Sequence, residues 1–104
     1  MAATARRDVF YAISDPTRRE IIELVSAHSL NVNEIAANFD MSRSAVSQHL
    51  KILVECGVVE ISQFGRERFC EIRGERLDEV STWLQDHRKA WLSRFGKLEK
   101  HLKK

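Results

Sequence analysis

The sequence has little of what marks several protein classes. It holds two cysteines, one proline and four glycines among 104 residues. The cysteines are far apart and form no C-x-x-C motif, which fits a reducing cytoplasm better than a disulfide scaffold. No run approaches the ~18 apolar residues of a membrane span, and the first ten residues lack the apolar core of a secretory signal. We therefore expect a cytoplasmic protein without a membrane segment.

Motifs of catalysis are also missing. The chain has no G-x-S-x-G, no H-E-x-x-H and no glycine-rich phosphate loop. Its Ser and Asp residues fall at positions that cap helices, which already explains them. We predict that the protein is not an enzyme and needs no cofactor.

The charge is small overall but uneven. A net charge of +2, with 43% hydrophobic and 31% charged residues, suits one ordinary globular domain over residues 1–104. From Arg88 onward the charged side chains are almost all basic, with Glu99 as the one acidic residue. Such a segment can meet a phosphate backbone, although a solvated helix face is the commoner explanation.

Start signals divide the first forty residues into three helices. A short helix is predicted over Arg6–Ile13. Asp15 then caps a second helix, and Pro16 occupies its first position, where the missing N–H is no loss. Asn31 with Glu34 three residues later resembles a capping box and opens the third.

The fourth helix has two chemically different faces. It follows a turn that ends at Ser42, its expected cap, and it stops at Gly57. One face carries an apolar stripe at the i, i+4, i+7, i+8 spacing of a core-facing helix, formed by Val46, Leu50, Leu53 and Val54. The third and fourth helices, at about 31–56, thus read as a helix-turn-helix.

Two β-prone runs come next, over 58–64 and 66–72, with Gly65 between them. They predict a hairpin, or wing, at about 58–72 with an exposed tip. The fold class is therefore mainly α with a small β-hairpin, a winged helix-turn-helix.

A break at Arg73-Gly74-Glu75 precedes a last helix at about 76–103. Such a helix would be ~40 Å long, which is longer than the body of a small domain needs. Its one narrow apolar stripe would therefore extend beyond the domain into solvent. A second copy of the chain is the simplest cover. The predicted homodimer interface uses the N- and C-terminal helices, through Val9, Phe10, Leu77, Val80, Leu84, His87, Trp91, Phe95 and Leu98.

The polar face of the fourth helix has the donors that double-stranded DNA requires. Gln and Arg can pair bidentately with base edges, while Ser and Lys suit phosphates. An exposed hairpin tip can reach the neighbouring backbone or minor groove. The predicted DNA-binding residues are Ser42, Arg43, Ser44, Ser47, Gln48, His49, Lys51 and Arg66. A solvated helix face is the alternative for the set, and a packed structural role is the alternative for His49.

Three pieces of the chain resemble the ArsR/SmtB family of bacterial transcriptional repressors. They are Ser14-Asp15-Pro16-Thr17-Arg18-Arg19, then Val46-Ser47-Gln48-His49-Leu50-Lys51-Ile52-Leu53, then Gly57-Val58-Val59, and Gly65-Arg66 matches the wing tip. The resemblance implies a homodimer that represses its own operon. In many members a metal releases the DNA.

That metal chemistry does not carry over to this sequence. The family's thiolate pair on the third helix is replaced by Ala36-Ala37-Asn38. On the last helix Asp86 and His87 are adjacent, and His101 stands among lysines, so the family's zinc ligands are not presented. We therefore predict no metal site and a likeness to the metal-independent autorepressor branch.

The hypothesis is a sequence-specific transcriptional regulator, a homodimeric repressor on a pseudo-palindromic operator. One alternative is a metal- or redox-responsive repressor of the same fold. Another is a protein-interaction adaptor that uses a winged helix without DNA. Buried inert thiols are favoured over a redox pair for Cys56 and Cys70, and the sequence identifies no small-molecule effector.

Overall fold

A computed structural model describes residues 8–102 of the chain. Within them it places helices and strands in the order α1 (Val9–Ala12), α2 (Pro16–Ala27), β1 (Leu30–Asn31), α3 (Val32–Ala36), α4 (Arg43–Glu55), β2 (Val59–Phe64), β3 (Glu67–Ile72) and α5 (Gly74–Leu102). The predicted fold class, mainly α with a small hairpin, is confirmed. The predicted first-helix start at Arg6 and last-helix end at residue 103 lie outside the described residues.

Aspartates begin both N-terminal helices. The Asp8 Oδ1 atom accepts a hydrogen bond from the Tyr11 N–H at 3.0 Å. The Asp15 Oδ2 atom accepts one from the Arg18 N–H at 3.0 Å, and Pro16 is the first residue of α2 as predicted. Each cap satisfies an amide that the helix itself leaves unpaired.

A buried arginine joins α1 to α2. The Arg18 side chain is 6% exposed. Its Nε donates to the Ala12 carbonyl at 3.0 Å and its Nη2 to the Tyr11 carbonyl at 2.9 Å. These carbonyls end the short α1, so the guanidinium takes the place of the hydrogen bonds that a longer helix would provide. This contact between Arg18 and α1 was not predicted from the sequence.

The predicted caps of the helix-turn-helix are present. The Asn31 Oδ1 atom accepts from the Glu34 N–H at 2.8 Å and the Glu34 Oε1 atom accepts from the Asn31 N–H at 3.1 Å, which completes the capping box. The Ser42 Oγ atom accepts from the Ala45 N–H at 3.1 Å and opens α4. Both ends of the turn are thereby fixed by local hydrogen bonds.

Gly57 ends the segment with a φ of +75°. A side chain in this left-handed conformation would be strained. A Cβ added there would also lie 3.3 Å from the Arg76 Nε atom. The glycine therefore allows a tight exit from α4 beneath the start of α5.

Three of the four residues in the predicted α4 stripe reach the core. Val46, Leu50 and Leu53 are at most 2% exposed, whereas Val54 is 40% exposed. The prediction for Val54 is wrong because it lies at the flank of the stripe, where it lines an open groove toward the hairpin. The helical spacing identified which face of α4 is apolar, but not how much of that face the rest of the fold buries.

The hairpin belongs to a three-stranded sheet in the order β1-β3-β2. Strands β2 and β3 pair antiparallel from Val59↔Ile72 to Phe64↔Glu67. Gly65, with a φ of +62°, makes the turn. Strand β1 pairs with the far edge of β3 through Leu30↔Cys70. The hairpin was predicted, but this third strand was not.

Helix α5 is long and has no buried residue. Its 29 residues correspond to a length of ~44 Å, in a molecule measuring 66 × 38 × 26 Å. The helix begins at Gly74, not near residue 76, so the predicted break is wrong. Arg73 fixes this start, because its Nη1 atom lies 2.9 Å from Glu60 Oε2 on β2 and its Nε atom lies 3.5 Å from Glu75 Oε2 in the first turn.

Candidate nucleic-acid interface

Helix α4 turns a polar face to solvent along its length. The opposite face is held by the buried side chains of Val46, Leu50 and Leu53. Because residues three and four apart share a helix face, the remaining side chains project outward together. The exposed set contains Arg43, Ser44, Ser47, Gln48 and Lys51, all predicted from the sequence. It combines two cations, two hydroxyls and one amide in about three turns.

Ser42 stands at the start of this face with a structural task. Its Oγ atom accepts the Ala45 N–H, so one lone pair serves as the helix cap. The hydroxyl proton is still able to donate to an anion. The N–H groups in the first turn of α4 point out of this N-terminal end of the helix. The positive end of the helix dipole therefore favours a phosphate near Ser42.

The hairpin tip carries a cation and an exposed aromatic ring. Arg66 is exposed next to Gly65, as predicted. Phe64 is 65% exposed, and its ring packs edge-to-face on Phe69 with centroids 6.0 Å apart. Phe64 was not among the predicted site residues, although an aromatic residue beside a turn glycine was the available signal. A large apolar ring at an exposed tip is suited to contact with a sugar or another surface.

His49 differs from its neighbours on α4. Its Nδ1 atom is buried without a hydrogen-bond partner and faces the Asp15 Oδ2 atom at 3.9 Å. The side chain is 23% exposed. This ring packs toward the start of α2, in agreement with the structural alternative. The buried Nδ1 atom favours the packed alternative for His49, and the DNA contact of this residue stays a prediction.

The charge of Asp15 is favoured by its surroundings. Partial burial acts to raise the pKa of this carboxyl, but the hydrogen bond from the Arg18 N–H outweighs it together with the positive charges of His49 and Arg18. The net result is a pKa below the ordinary value. The carboxylate stays ionised as the cap of α2 and faces His49.

Arg68 lies closer to α4 than the strand alternation suggested. Strand alternation places Arg68 on the face of Cys70 and Ile72, which predicts a DNA contact less readily than the tip position of Arg66 does. In the structure its side chain is exposed and lines a groove together with Ser47 and Lys51. Alternation placed Arg68 on the correct face of β3, but at this position that face borders the open groove beside α4 and is not covered.

The two cysteines are buried and carry no disulfide. Burial, followed by the nearby charge of Glu71, raises the pKa of the Cys70 thiol from 9.0 to about 11. A thiol that resists ionisation is a poor nucleophile, in agreement with the predicted inert thiols. Across residues 8–102 no group of three or more His, Cys, Asp or Glu side chains could hold a metal ion. Nor does that stretch hold a helix long and apolar enough to cross a membrane.

A second exposed surface runs along α5 and α1. Aromatic rings follow one another on it, with centroid distances of 5.7 Å for Phe10–Trp83, 4.8 Å for Trp83–His87 and 5.7 Å for His87–Trp91. The predicted interface residues exposed there are Phe10, Leu84, His87, Trp91, Phe95 and Leu98. We call these six residues the α1/α5 seam.

The remaining predicted interface residues lie below the seam. Leu77 and Val80 are half-buried against the core. Val9 is fully buried within its own protomer, so its assignment to a dimer interface is wrong. It supports Phe10 and α1 from beneath and has no surface left for a partner.

Known proteins are similar to this chain in both sequence and fold. A family model described as bacterial regulatory protein, arsR family, matches residues 15–60. The transcriptional repressor SdpR of Bacillus subtilis is 32% identical over 77 residues, which cover 74% of this chain and 86% of that protein. The HTH-type transcriptional regulator Rv2034 of Mycobacterium tuberculosis is 50% identical over 71 residues, covering 68% of this chain and 66% of the other.

A solved structure agrees with them. The ArsR-like transcriptional regulator from Rhodococcus sp. RHA1 superposes with a TM-score of 0.70 at 30% identity, over 88% of this chain and 87% of that one. The matched family region runs from the cap of α2 to the start of β2 and so contains the whole polar face of α4.

Proposed function

This chain belongs to the arsR family of bacterial regulatory proteins and is a DNA-binding transcriptional repressor, and we propose that it acts as a homodimer on a pseudo-palindromic operator. Each protomer inserts α4 into the major groove and rests its hairpin on the adjacent backbone. Repression follows because the bound dimer excludes RNA polymerase. A regulator of bacterial DNA acts in the cytoplasm, where we place the protein.

The observation that carries this proposal is the arrangement of α4. Its apolar side is anchored by Val46, Leu50 and Leu53, while the side facing solvent holds donors that are not used in the fold. The side chains of Gln48 and Lys51 make no hydrogen bond or ion pair with any of residues 8–102. Polar side chains held on a rigid helix and left without partners are available to a duplex.

The contacts divide into two kinds by chemistry. Gln48 lies in the middle of the polar face and has an amide that can pair bidentately with adenine. Arg43, at the N-terminal end, can pair with guanine in the same manner. Ser42, Ser44, Ser47 and Lys51 suit phosphates, and Arg66 at the hairpin tip suits the neighbouring backbone or minor groove.

Dimerisation is proposed from the α1/α5 seam. Phe95 and Leu98 on it are 66% and 53% exposed. Aliphatic and aromatic side chains left in water along one stripe are stabilised when a matching stripe covers them. A two-fold pair buries the seam of both protomers and spaces two copies of α4 by about one DNA turn, ~34 Å, or a small multiple.

Binding to an operator selected from a pool of random duplexes tests this proposal. The full chain is titrated against the labelled operator by fluorescence anisotropy at several salt concentrations. Phosphate contacts release counterions, so log K falls linearly with log salt. Gln48→Ala is expected to weaken operator binding by about 1–3 kcal/mol and to relax the base preference where α4 enters.

Gln85→Ala is the matched control, because Gln85 is also exposed on a helix but lies on α5. It should leave affinity unchanged. Equal affinity of wild type and Gln48→Ala would remove Gln48 from the base contacts. Failure to select any duplex, or an affinity that does not respond to salt, would contradict the DNA interface and favour a protein-interaction adaptor.

A further inference from the structure

A groove between α4, the hairpin and the start of α5 shares Ser47 and Lys51 with the interface described above and extends beyond it over apolar surface. Its volume is about 1030 Å³, at the upper end of the ~300–1,000 Å³ typical of small-molecule sites. Two elements form its long walls, α4 on one side and strands β2 and β3 on the other. The floor is apolar and is made by Val32, Leu50, Val54, Val59 and Ile61.

The floor contains apolar surface that the fold leaves in water. Val54 is 40% exposed although it continues the core stripe of α4. Ile61 on β2 is half-buried and lines the same groove. A DNA backbone carries charge and sugar, which do not replace the water over these side chains favourably. An aliphatic or aromatic body does.

The rim is charged, and its charge is uneven along the groove. Its cationic side chains are Lys51, Arg68, Arg73 and Arg76, against the acidic Glu55, Glu60 and Glu75, which leaves one positive charge in excess (4 − 3 = 1). At the α5 end the charges are paired, since Arg73 contacts both Glu60 and Glu75, and Arg76 lies 3.0 Å from Glu79.

The other end of the rim holds the unmatched cations. Within residues 8–102, the side chains of Lys51 on α4 and Arg68 on β3 make no ion pair or hydrogen bond. Glu55 also borders the groove but has an interaction of its own. Two cations on facing walls above an apolar floor are complementary to one anionic head group on an apolar body.

We propose that this groove binds a small amphipathic carboxylate, with its apolar part on Val54 and Ile61 and its carboxylate between Lys51 and Arg68. This deepens, and rests on, the proposed function, because Lys51 and Ser47 belong to both the groove and the DNA face. A ligand in the groove and an operator on α4 therefore exclude one another, and the carboxylate acts as an inducer.

Decanoate is the probe, used below the concentration at which it forms micelles, and decanol is its uncharged counterpart. Calorimetric titration of the full chain is expected to show one saturable site per protomer. Decanol should bind about tenfold more weakly, since it lacks the charge-assisted hydrogen bonds. Amide chemical-shift changes should concentrate on the second half of α4 and on β2 and β3.

Two variants test the two halves of the site. Arg68→Gln should weaken decanoate binding by about tenfold and leave decanol binding unchanged. Val54→Asn should weaken both ligands, by roughly fivefold to tenfold. Lys89→Gln removes a cation from an exposed position on α5 and should change neither. Circular dichroism establishes that each variant is folded, and the shift map of the wild type tests the site without any substitution.

Competition with the operator completes the test. At decanoate tenfold above its own dissociation constant, the apparent operator dissociation constant should rise about tenfold. Equal binding of decanoate and decanol, unchanged binding by Arg68→Gln and Val54→Asn, or shift changes on the α1/α5 seam would each overturn the groove site. Operator binding without decanoate binding defeats this inference alone. If decanoate binds saturably but no duplex can be selected as an operator, the proposed function is contradicted and the groove site is retained.

Discussion

Both the body of the molecule, residues 9–72, and helix α5 carry stripes of apolar side chains, but the two regions differ in how far these side chains are buried. Among residues 8–102, all fourteen buried hydrophobic residues lie between Val9 and Cys70, and none lies on α5. The first turns of α5 touch the core only through the half-buried Leu77 and Val80. An apolar stripe therefore predicts that a face is to be covered, but it does not say whether the cover comes from the same chain.

The sharpest test of this comparison is the same truncation in both regions. Leu53→Ala, at a residue with 0% exposure, should lower the free energy of unfolding by about 2–5 kcal/mol, because it opens a cavity in a packed core. Leu98→Ala, at a residue 53% exposed, should cost less than about 1 kcal/mol in dilute solution. Urea denaturation followed by circular dichroism measures both.

The cost of Leu98→Ala should grow with protein concentration if the seam pairs two protomers. Equal losses for the two variants at low concentration would mean that α5 is part of the folded core after all, and the contrast between the two regions would be lost.

A charge placed in the seam tests what covers it. Trp91→Glu should convert the dimer to a monomer, because an unpaired carboxylate would be buried between the protomers. Operator affinity should then fall at least about tenfold, which is ~1.4 kcal/mol. Lys89→Glu introduces the same side chain on the opposite face of α5 and should leave the dimer intact. Sedimentation velocity measures the mass of each variant, and a dimeric Trp91→Glu would move the interface elsewhere.

The smallest effect comes from one substitution made in both regions. Ser42→Ala removes the cap of α4 and should destabilise the body by about 1 kcal/mol. Ser93→Ala, on the exposed side of α5, should be neutral or stabilising by a few tenths of a kcal/mol, since alanine is the better helix former. Thermal unfolding of the two variants compares them. A loss of stability in Ser93→Ala would show that this face is in contact with something.

Local features of the fold could be predicted from the sequence because their causes are local. The caps at Asp15, Asn31 and Ser42 each depend on a side chain and an amide three residues later. The turns at Gly57 and Gly65 depend on the backbone freedom of single residues. These signals placed α4 and the hairpin, and with them the polar face that we propose as the DNA contact.

Features that depend on distant contacts were missed. Strand β1 forms only because Leu30 meets Cys70 on β3, and two residues carry no periodicity of their own. For His49 the sequence left a DNA contact and a packed role both open, because the approach of its ring to Asp15 joins residues that are distant in the sequence. The exposure of Val54 depends on how far the hairpin stands from α4, which determines the groove and cannot be read from a helical pattern.

The Gly57 exit limits how this sequence can drift. Its positive φ strains most other residues, and a Cβ added there would lie 3.3 Å from the Arg76 Nε atom, so the Arg76 side chain would have to shift slightly. The other described glycines, at positions 65, 74 and 96, have open space around them. In a saturation library, position 57 should therefore accept almost no replacement, because the strain of the positive φ remains even where the Arg76 side chain can move. The corner between α4 and β2 therefore depends on Gly57 first and on the neighbouring Arg76 side chain second.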